Sequence, residues 1–527
     1  MFINNFFRFF IVGILLAGCS GGPKNQPWDI EYDQSSITNP VHLAYGTNTG
    51  YGTDTSGKHD IAVLLPLTGD NAQIGLDIQN SIALALLQTQ PNELNVKFYD
   101  TGRDADSAIS NAISESPDVI IGPVFSGNAK LLRDKKPNDM PALTFTSDAS
   151  AVGSGVISVA LMPINSVEAI INQMSSDRVS NFIIVAPDDI NGHIMASNAI
   201  NIADAHKINI PGIFYYEPGN SESIKSKMEI ASMNHARTSA NTKARAILSD
   251  IITNEKLSIA ERNSIASQMN KLSKQETLGD LPYTAVLFLG GGEDTKSLAS
   301  FLRYYGADAH NVHFYGTAQL DDPDVISDFT MSGAKYAALP ESNADFTELY
   351  TNTYGKSPNR LDTFGYDAIK IAMGMLYSPQ SNGTYLLNQS GFYGIDGLIH
   401  FNANGTNERG LRIMQLNGTK TPRVIKTSPN NFITPIYKTT EYTTSSAPER
   451  DLESDEINPM DYIKIPDRFL YKYRPSAYST KKPTPQTISI ITTVPTDTTS
   501  TIKESGFTPI KRESIKQTYI DSVEIEG

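Results

Sequence analysis

The feature that most restricts the fold is a rhythm between about His59 and Gly418, where short runs rich in branched aliphatics alternate with stretches of helical spacing. A strand buried on both faces needs a continuous apolar run, and a parallel neighbour needs a helical crossover, so this rhythm is the pattern of βαβ units on parallel sheets. Ile61–Leu65 reads as the first strand, closed by the turn Pro66-Leu67-Thr68-Gly69. A helix follows over Ala72–Thr89, with Ile74, Ile78, Ile82 and Leu86 stepping by four along one face. Leu94–Tyr99, Val119–Ile121 and Ala142–Phe145 continue as strands, with helices over Asp104–Ser114 and Gly127–Arg133 between them. A second series starts near Asn165: a helix to Ser175, strand Phe182–Ala186, helix Asn191–Ala205, then strands Ile213–Tyr216, Tyr283–Leu289 and Val312–Tyr315. About 360 residues are too many for one compact core and suit two. The expected fold class is α/β, with two doubly wound Rossmann-like lobes.

Residues 221–279 break the rhythm with a long polar stretch. Ile247 and Ile251, then Ile265, Met269 and Leu272, sit at helical spacing, and Lys225 with Glu229 forms an i,i+4 pair, so a helical insert on one lobe is expected. Two readings of it stand side by side: a stabilising decoration, and a surface on which a partner docks.

The beginning of the chain reads as an export signal: Arg8, an apolar run Phe9–Ala17, and small residues before Cys19. The run is shorter than the roughly 20 residues that a spanning helix needs. Cys19 is the only cysteine among 527 residues, which excludes intrachain disulfides and multi-thiolate metal sites. From Ser20 to Lys58 the composition of Gly, Asn, Thr, Ser and Pro is that of a flexible linker with an end-to-end distance of roughly 35 Å. Thr/Ser/Pro clusters recur from about Asn430 to Gly527, and the expected tail is mostly disordered, with Asp461–Tyr473 apolar enough to dock somewhere. The expected division is 1–18 signal peptide, 19–58 lipidated cysteine and linker, 59–429 two-lobed domain, and 430–527 tail.

Formal charge is -14, and no stripe of Lys and Arg with interleaved aromatics occurs, so nucleic acid is excluded as a partner. None of the eight histidines forms a paired ligand motif, Gly290-Gly291-Gly292 lacks the Lys-Ser/Thr of a phosphate loop, and Gly153-Ser154-Gly155 lacks the spacing of a nucleophile elbow. No catalytic residue, metal site or cofactor is therefore expected.

Leu16-Ala17-Gly18-Cys19 resembles the lipobox of bacterial lipoproteins, which implies diacylglycerol on Cys19 and a membrane anchor. Ser20, where an aspartate would signal retention, implies the outer membrane more than the inner. Three further stretches together resemble the type 1 periplasmic-binding-protein family, the group of the leucine/isoleucine/valine-binding protein. They are Ile61–Gly69 with Asn71-Ala72 and Gly75; Val119–Pro123 with Ser126; and Phe364–Lys370 leading to Gly394-Ile395-Asp396-Gly397, Phe401-Asn402 and Gly405. Within it the chain is most similar to bacterial penicillin-binding protein activators, through Thr144–Asp148 with Val152-Gly153, Ala186–Asp189, Gly316-Thr317 with Asp321-Asp322-Pro323, and Gly410-Leu411. The resemblance implies a periplasm-facing protein with three crossovers, near Ala160, Tyr336 and Ser390. Lobe 1 then takes about 59–160 and 336–389, and lobe 2 about 161–335 and 390–429.

Ligands of open parallel sheets sit beyond the carboxyl ends of the strands. The candidate cleft residues are Thr68, Asn71, Ser126, Thr146, Ser147, Asp148 and Asn191. By the resemblance, Ser126, Thr146 and Ser147 would grip the charged ends of an amino acid, with Asp148 facing a cation. The plain alternative is that Ser126 caps its helix and that Ser147 and Asp148 make local turn bonds. Amino-acid binders resemble one another in a tyrosine where this chain has Asn191, an aromatic where it has Gly290-Gly291-Gly292, and an acid where it has Thr317-Ala318-Gln319. Two functions follow: a non-catalytic lipoprotein acting on a penicillin-binding peptidoglycan synthase, or the receptor of an ABC permease for an amino acid or similar small molecule.

Overall fold

The computed structural model describes residues 40–43, 58–91, 94–307, 309–378, 382–388, 390–432, 442–452 and 456–473. The expected export signal, Cys19, most of the linker and residues 474–527 of the tail lie outside the described residues. Strand β1 (Val41–His42) belongs to a small sheet taken up below.

Lobe 1 is a five-stranded, wholly parallel sheet of β2 (His59–Leu65), β3 (Leu94–Asp100), β4 (Val119–Ile121), β5 (Ala142–Thr144) and β6 (Val156–Ser158), in the order β3-β2-β4-β5-β6. Successive strand residues point to opposite faces, so Ile61, Val63 and Leu65 of β2 enter one core while Ala62 and Leu64 enter another. Helices α1 (Ala72–Thr89), α2 (Ala105–Ser114) and α3 (Ser126–Lys135) supply the crossovers. Asp104 begins α2 by accepting the Ser107 N–H at 3.1 Å.

Lobe 2 repeats the plan in seven strands. Those are β7 (Phe182–Pro187), β8 (Ile213–Tyr216), β9 (Ala285–Phe288), β10 (His313–Gly316), β11 (Lys335–Ala338) and, beyond a stretch of lobe 1, β15 (Arg412–Gln415) and β16 (Arg423–Lys426). Their order is β16-β15-β11-β10-β9-β7-β8, with β15 antiparallel to both its neighbours and the rest parallel. Helices α4 (Pro163–Ser176) and α5 (Ile190–Ala205) share a core with Phe182, Ile184 and Ala186. Helices α6 (Ser221–Ala231) and α9 (Gly292–Tyr304) share the opposite core with Ile183 and Val185. The two lobes share a device: a Cβ on Gly75 would run into the Pro66 carbonyl, and one on Gly192 into the Pro187 carbonyl, so in each lobe a glycine lets the helix after the first strand close onto the proline at that strand's carboxyl end.

The chain crosses between lobes three times, the first two close to the expected places and the third well beyond. The first, Val159–Met162, includes Ala160. Tyr336, by contrast, lies inside β11, and the second crossing follows Leu339; the short run Tyr336-Ala337-Ala338 lacks branched aliphatics and gives no strand signal in the sequence. The chain then returns to lobe 1 as α11 (Ala344–Tyr354) and α12 (Arg360–Leu376), with the short α10 (Pro323–Ser327) before and α13 (Asn382–Leu386) after. Helix α12 packs along α1, where Gly365 admits Ser81 and Ile78. The third crossing is at Gly410-Leu411, well past Ser390. Between lie β12 (Phe392–Gly394), β13 (Gly397–Phe401) and β14 (Asn407–Arg409), whose hairpins form a sheet β1-β12-β13-β14 against lobe 1 and not lobe 2. The Ser158 N–H donates to Gly405 O at 2.9 Å, and Asn407 Nδ2 donates to Ser158 O and Ala160 O at 2.8 and 2.7 Å.

At the ends, the linker expectation is corrected at one place, while in the tail Asp461–Tyr473 docks as expected and residues 442–452 dock as well. Within the linker, Val41 and Leu43 donate to Gly391 O and Tyr393 O, both at 2.9 Å, and Leu43 is buried, because a short apolar run can complete an open sheet edge. Within the tail, residues 442–452 and 456–473 lie along lobe 2. Thr443 exchanges backbone bonds with the Asn198 side chain at 3.0 and 2.9 Å, and Arg450 pairs with Ile213 of β8 at 2.8 and 2.9 Å, covering the sheet's free edge.

The insert also divides differently. Helix α6 is an ordinary lobe 2 helix packed on α9, and the added part is the hairpin of α7 (Asn234–Ile252) and α8 (Ile259–Ser273). Its core of Ala244, Leu248, Ile265 and Leu272 takes in Ile463 from the tail, with Phe469 packed against it. Arg468, in α14 (Asp467–Tyr473), forks onto both oxygens of Glu261 at 2.8 and 2.9 Å.

Candidate functional site

The seven candidate residues lie at the carboxyl ends of the parallel strands or at the first turns of the helices that follow, but they do not form one clamp. Thr68 is tied to Asp100: its hydroxyl and its N–H donate to that carboxylate at 2.5 and 3.2 Å. Burial pulls the Asp100 carboxyl up, and the Thr68 hydroxyl with three backbone N–H groups outweighs it, holding the carboxyl below its ordinary range. Asn71 is exposed at the N-cap of α1 and makes no side-chain capping bond. Ser126 is half-buried as the first residue of α3; the N-cap is Phe125, so the capping role considered for Ser126 is not the one the structure gives it.

Thr146 is buried, and its hydroxyl accepts the Asp148 N–H at 3.1 Å while its carbonyl accepts the Ser158 hydroxyl at 2.7 Å. Ser147 is half-buried beside it. Asp148 accepts the N–H and hydroxyl of Ser150 at 2.8 and 2.6 Å and pairs with Lys130 Nζ at 3.0 Å. Burial raises its pKa, and Ser150 and Lys130 together more than reverse this, so the carboxylate stays ionised. The cation that Asp148 faces is thus Lys130 of the same lobe, on the helix that Ser126 opens. Thr146, Asp148 and Ser126 are brought into one neighbourhood; Thr68 belongs to the next loop, and no described hydrogen bond joins Asn71 or Asn191 to the others.

On lobe 2, Asn191 is exposed in the first turn of α5, where Asp189 is the N-cap and accepts the Gly192 N–H at 2.7 Å. The residue that carries chemistry here is His193, two positions on. Its Nε2 is 2.8 Å from Asp188 Oδ1, its Nδ1 is 3.0 Å from Ala447 O, and its ring stacks on Tyr215 at 3.7 Å. Two acceptors on two ring nitrogens suit the imidazolium. Burial lowers the His193 pKa, and Asp188 with the Ala447 carbonyl outweighs it, leaving the value raised. Ala447 O also accepts the Tyr215 hydroxyl at 2.9 Å. Asp188 and His193 flank the helix start in the sequence, but their acceptor lies some 250 residues on, and no spacing rule connects them.

The space of the missing aromatic is filled. A Cβ on Gly290 would strike the Tyr216 hydroxyl and one on Gly291 the Gln319 backbone, so these glycines let neighbouring loops close where a ligand-facing ring would stand. The docked tail also reaches across: Tyr442 packs against the core that joins the lobes, and burial followed by the charge of Asp148 pushes its hydroxyl up to about 12. Among the described residues, no group of three or more His, Cys, Asp or Glu is placed to hold a metal ion, and no helix is long and apolar enough to cross a membrane.

Residues 54–210 match the family described as "LppC putative lipoprotein". No curated protein matches the sequence. Among solved structures, the chain is similar to a "putative branched-chain amino acid ABC transporter" from Rhodospirillum rubrum, with a TM-score of 0.53 at 17% identity over 70% of this chain and 100% of that one. It is also similar to the C-domain of LpoA from Haemophilus influenzae, a regulator of PBP1A, with a TM-score of 0.48 at 16% identity over 69% of this chain and 99% of that one. The leucine-binding protein LivK of Thermotoga maritima gives 0.43 at 16% identity over 69% and 97%. The fold is thus that of the type 1 periplasmic binding proteins, and the match to a lipoprotein family covers residues 54–210.

Proposed function

We propose that this chain is a non-catalytic envelope lipoprotein, tethered through lipid on Cys19 and facing the periplasm from the outer membrane, whose two-lobed domain regulates a penicillin-binding peptidoglycan synthase. The observation that carries this reading is the state of the cleft. Three of the cleft's polar side chains are already engaged within the chain: Asp148 by Lys130 and Ser150, Thr146 by Asp148, and Thr68 by Asp100. On the other lobe, close-packed glycines and an exposed Asn191 stand where ring and hydroxyl contacts would be needed. A buried polar group already satisfied by the protein gains little from exchanging partners for a ligand. A cleft so furnished serves as a rigid core for surfaces that meet another protein.

The lipobox and the match over residues 54–210 support the lipoprotein part. A tether confines the domain near the membrane and raises its effective concentration at a membrane-bound partner. The test is co-purification of the mature chain with the envelope's penicillin-binding synthases, together with glycan polymerisation and cross-linking rates with and without it. Absence of association and of any rate change refutes the proposal.

A further inference from the structure

Where the hairpin, α9 and the docked tail meet, they enclose an open groove of about 1060 Å³. It owes its existence to two additions to the two-lobed plan, the α7–α8 hairpin and the segment Tyr462–Lys464. Its frame is fixed. The buried Arg237 guanidinium donates to Gly279 O and Tyr305 O, both at 3.0 Å, tying three lining segments together. The Gln268 side chain exchanges two hydrogen bonds with the Lys464 backbone at 2.8 and 2.7 Å, seating the tail as the opposite wall. A wall held this way keeps its shape while its outward groups stay available.

Those outward groups have a distinct character. Tyr304 is 72% exposed, braced edge-on by Tyr305 with centroids 5.1 Å apart, and Tyr462 is 44% exposed on the tail side. Exposed Ser264 and Ser267 and the amide of Gln275 lie between, and the charges of Lys271 and Lys464 are opposed by Glu276 and Asp280. Leu272, Leu278 and Ile463 of the lining are buried and leave little open apolar surface for a lipid chain, and the two other lining cations, Arg237 and Arg303, give their guanidinium donors to the backbone carbonyls of Gly279, Tyr305, Ala307 and Val312 instead of presenting them to an anion. What such a surface matches is a neutral polymer with apolar C–H faces and a fringe of hydroxyls and amides. Tyrosine offers a flat apolar body with a polar tip to precisely that combination, at little cost in side-chain freedom.

We propose that this groove binds an oligosaccharide of N-acetylated amino sugars, stacked on Tyr304 and Tyr462. The inference rests on the envelope reading for where such a strand is met, but its test involves no synthase. The mature full-length chain is titrated calorimetrically with the N-acetylglucosamine tetramer. Binding is expected at sub-millimolar sugar, weakened at least about tenfold by Tyr304→Ala and by Tyr462→Ala, and retained in Tyr304→Phe. Unchanged melting temperatures establish that the variants are folded. Absence of binding at millimolar sugar overturns the inference, as does binding that both alanine variants leave intact. Loss of synthase association in these variants without any sugar binding also overturns it, making the groove a protein dock while leaving the proposed regulatory function standing.

Discussion

Replacing Arg409 by methionine tests what sets the relation between the lobes. Arg409 ends β14 at the third crossing, is 7% exposed, and donates to Val159 O in the first crossing, so one side chain joins two of the three connections. Its guanidinium stacks on Phe364 at 4.9 Å and faces Asp367 and Asp396. Asp396 has other partners in Arg360, Ser342 and Thr363. Among the described residues Asp367 accepts from the Ile395 N–H, at 3.0 Å, and burial, with the charge of Asp396, pushes its carboxyl up to about 7 even with the arginine beside it. Orphaning a buried charge costs about 3–5 kcal/mol. Because Asp367 is already poised to take up a proton, the lower end applies near neutrality, about 3 kcal/mol, or a fall in melting temperature of about 6–12 °C. The sign with pH is fixed: a carboxyl whose folded pKa lies above its unfolded value stabilises least once ionised, so the loss grows as pH rises through neutrality. Adding Asp367→Asn removes the second charge and should recover most of the loss. Thermal and denaturant unfolding at several pH values measure this. A single variant within about 1 kcal/mol of the parent, or a double variant no more stable than the single, refutes the reasoning.

Three further outcomes are expected. His193 holds Asp188 and the tail's Ala447 O at once only as the imidazolium; its pKa is raised in the fold, so that part of the stabilisation is full below the ordinary histidine value and is lost as pH rises through the folded one. Limited proteolysis near residue 447 should therefore be slower at mildly acid pH than at mildly alkaline pH, and His193→Ala should abolish the difference; equal rates in the parent would contradict it. Glu408 is pushed up to about 8 by burial and then by the charge of Glu168, so stability should fall between about pH 4.5 and 8, and Glu408→Gln should flatten that slope and add roughly 1–3 kcal/mol at the alkaline end, as read by denaturant melts. A thermal-shift screen with amino acids should be flat; a ligand at about 100 times its dissociation constant would add about 2.7 kcal/mol, and such a shift would favour the importer receptor instead.

The sequence alone determined the layered core. Strands such as Val119–Ile121 and Ile213–Tyr216, and helix Ala72–Thr89, are legible to the residue because local periodicity is also what burial demands of a parallel sheet. The loops that carry the candidate cleft were legible for the same reason, since they follow strand ends. Tertiary structure decided what those loops do: that Asp148 meets Lys130, that Gly290 and Gly291 admit Tyr216 and Gln319, and that His193 meets Ala447. It also decided that Val41-His42 completes a sheet edge and that Ile463 enters the hairpin core. These are pairings between residues far apart in the chain, and periodicity carries only the local half of each: it shows that a face or a charge needs a partner, whereas the partner's identity depends on which distant segment the fold brings within reach.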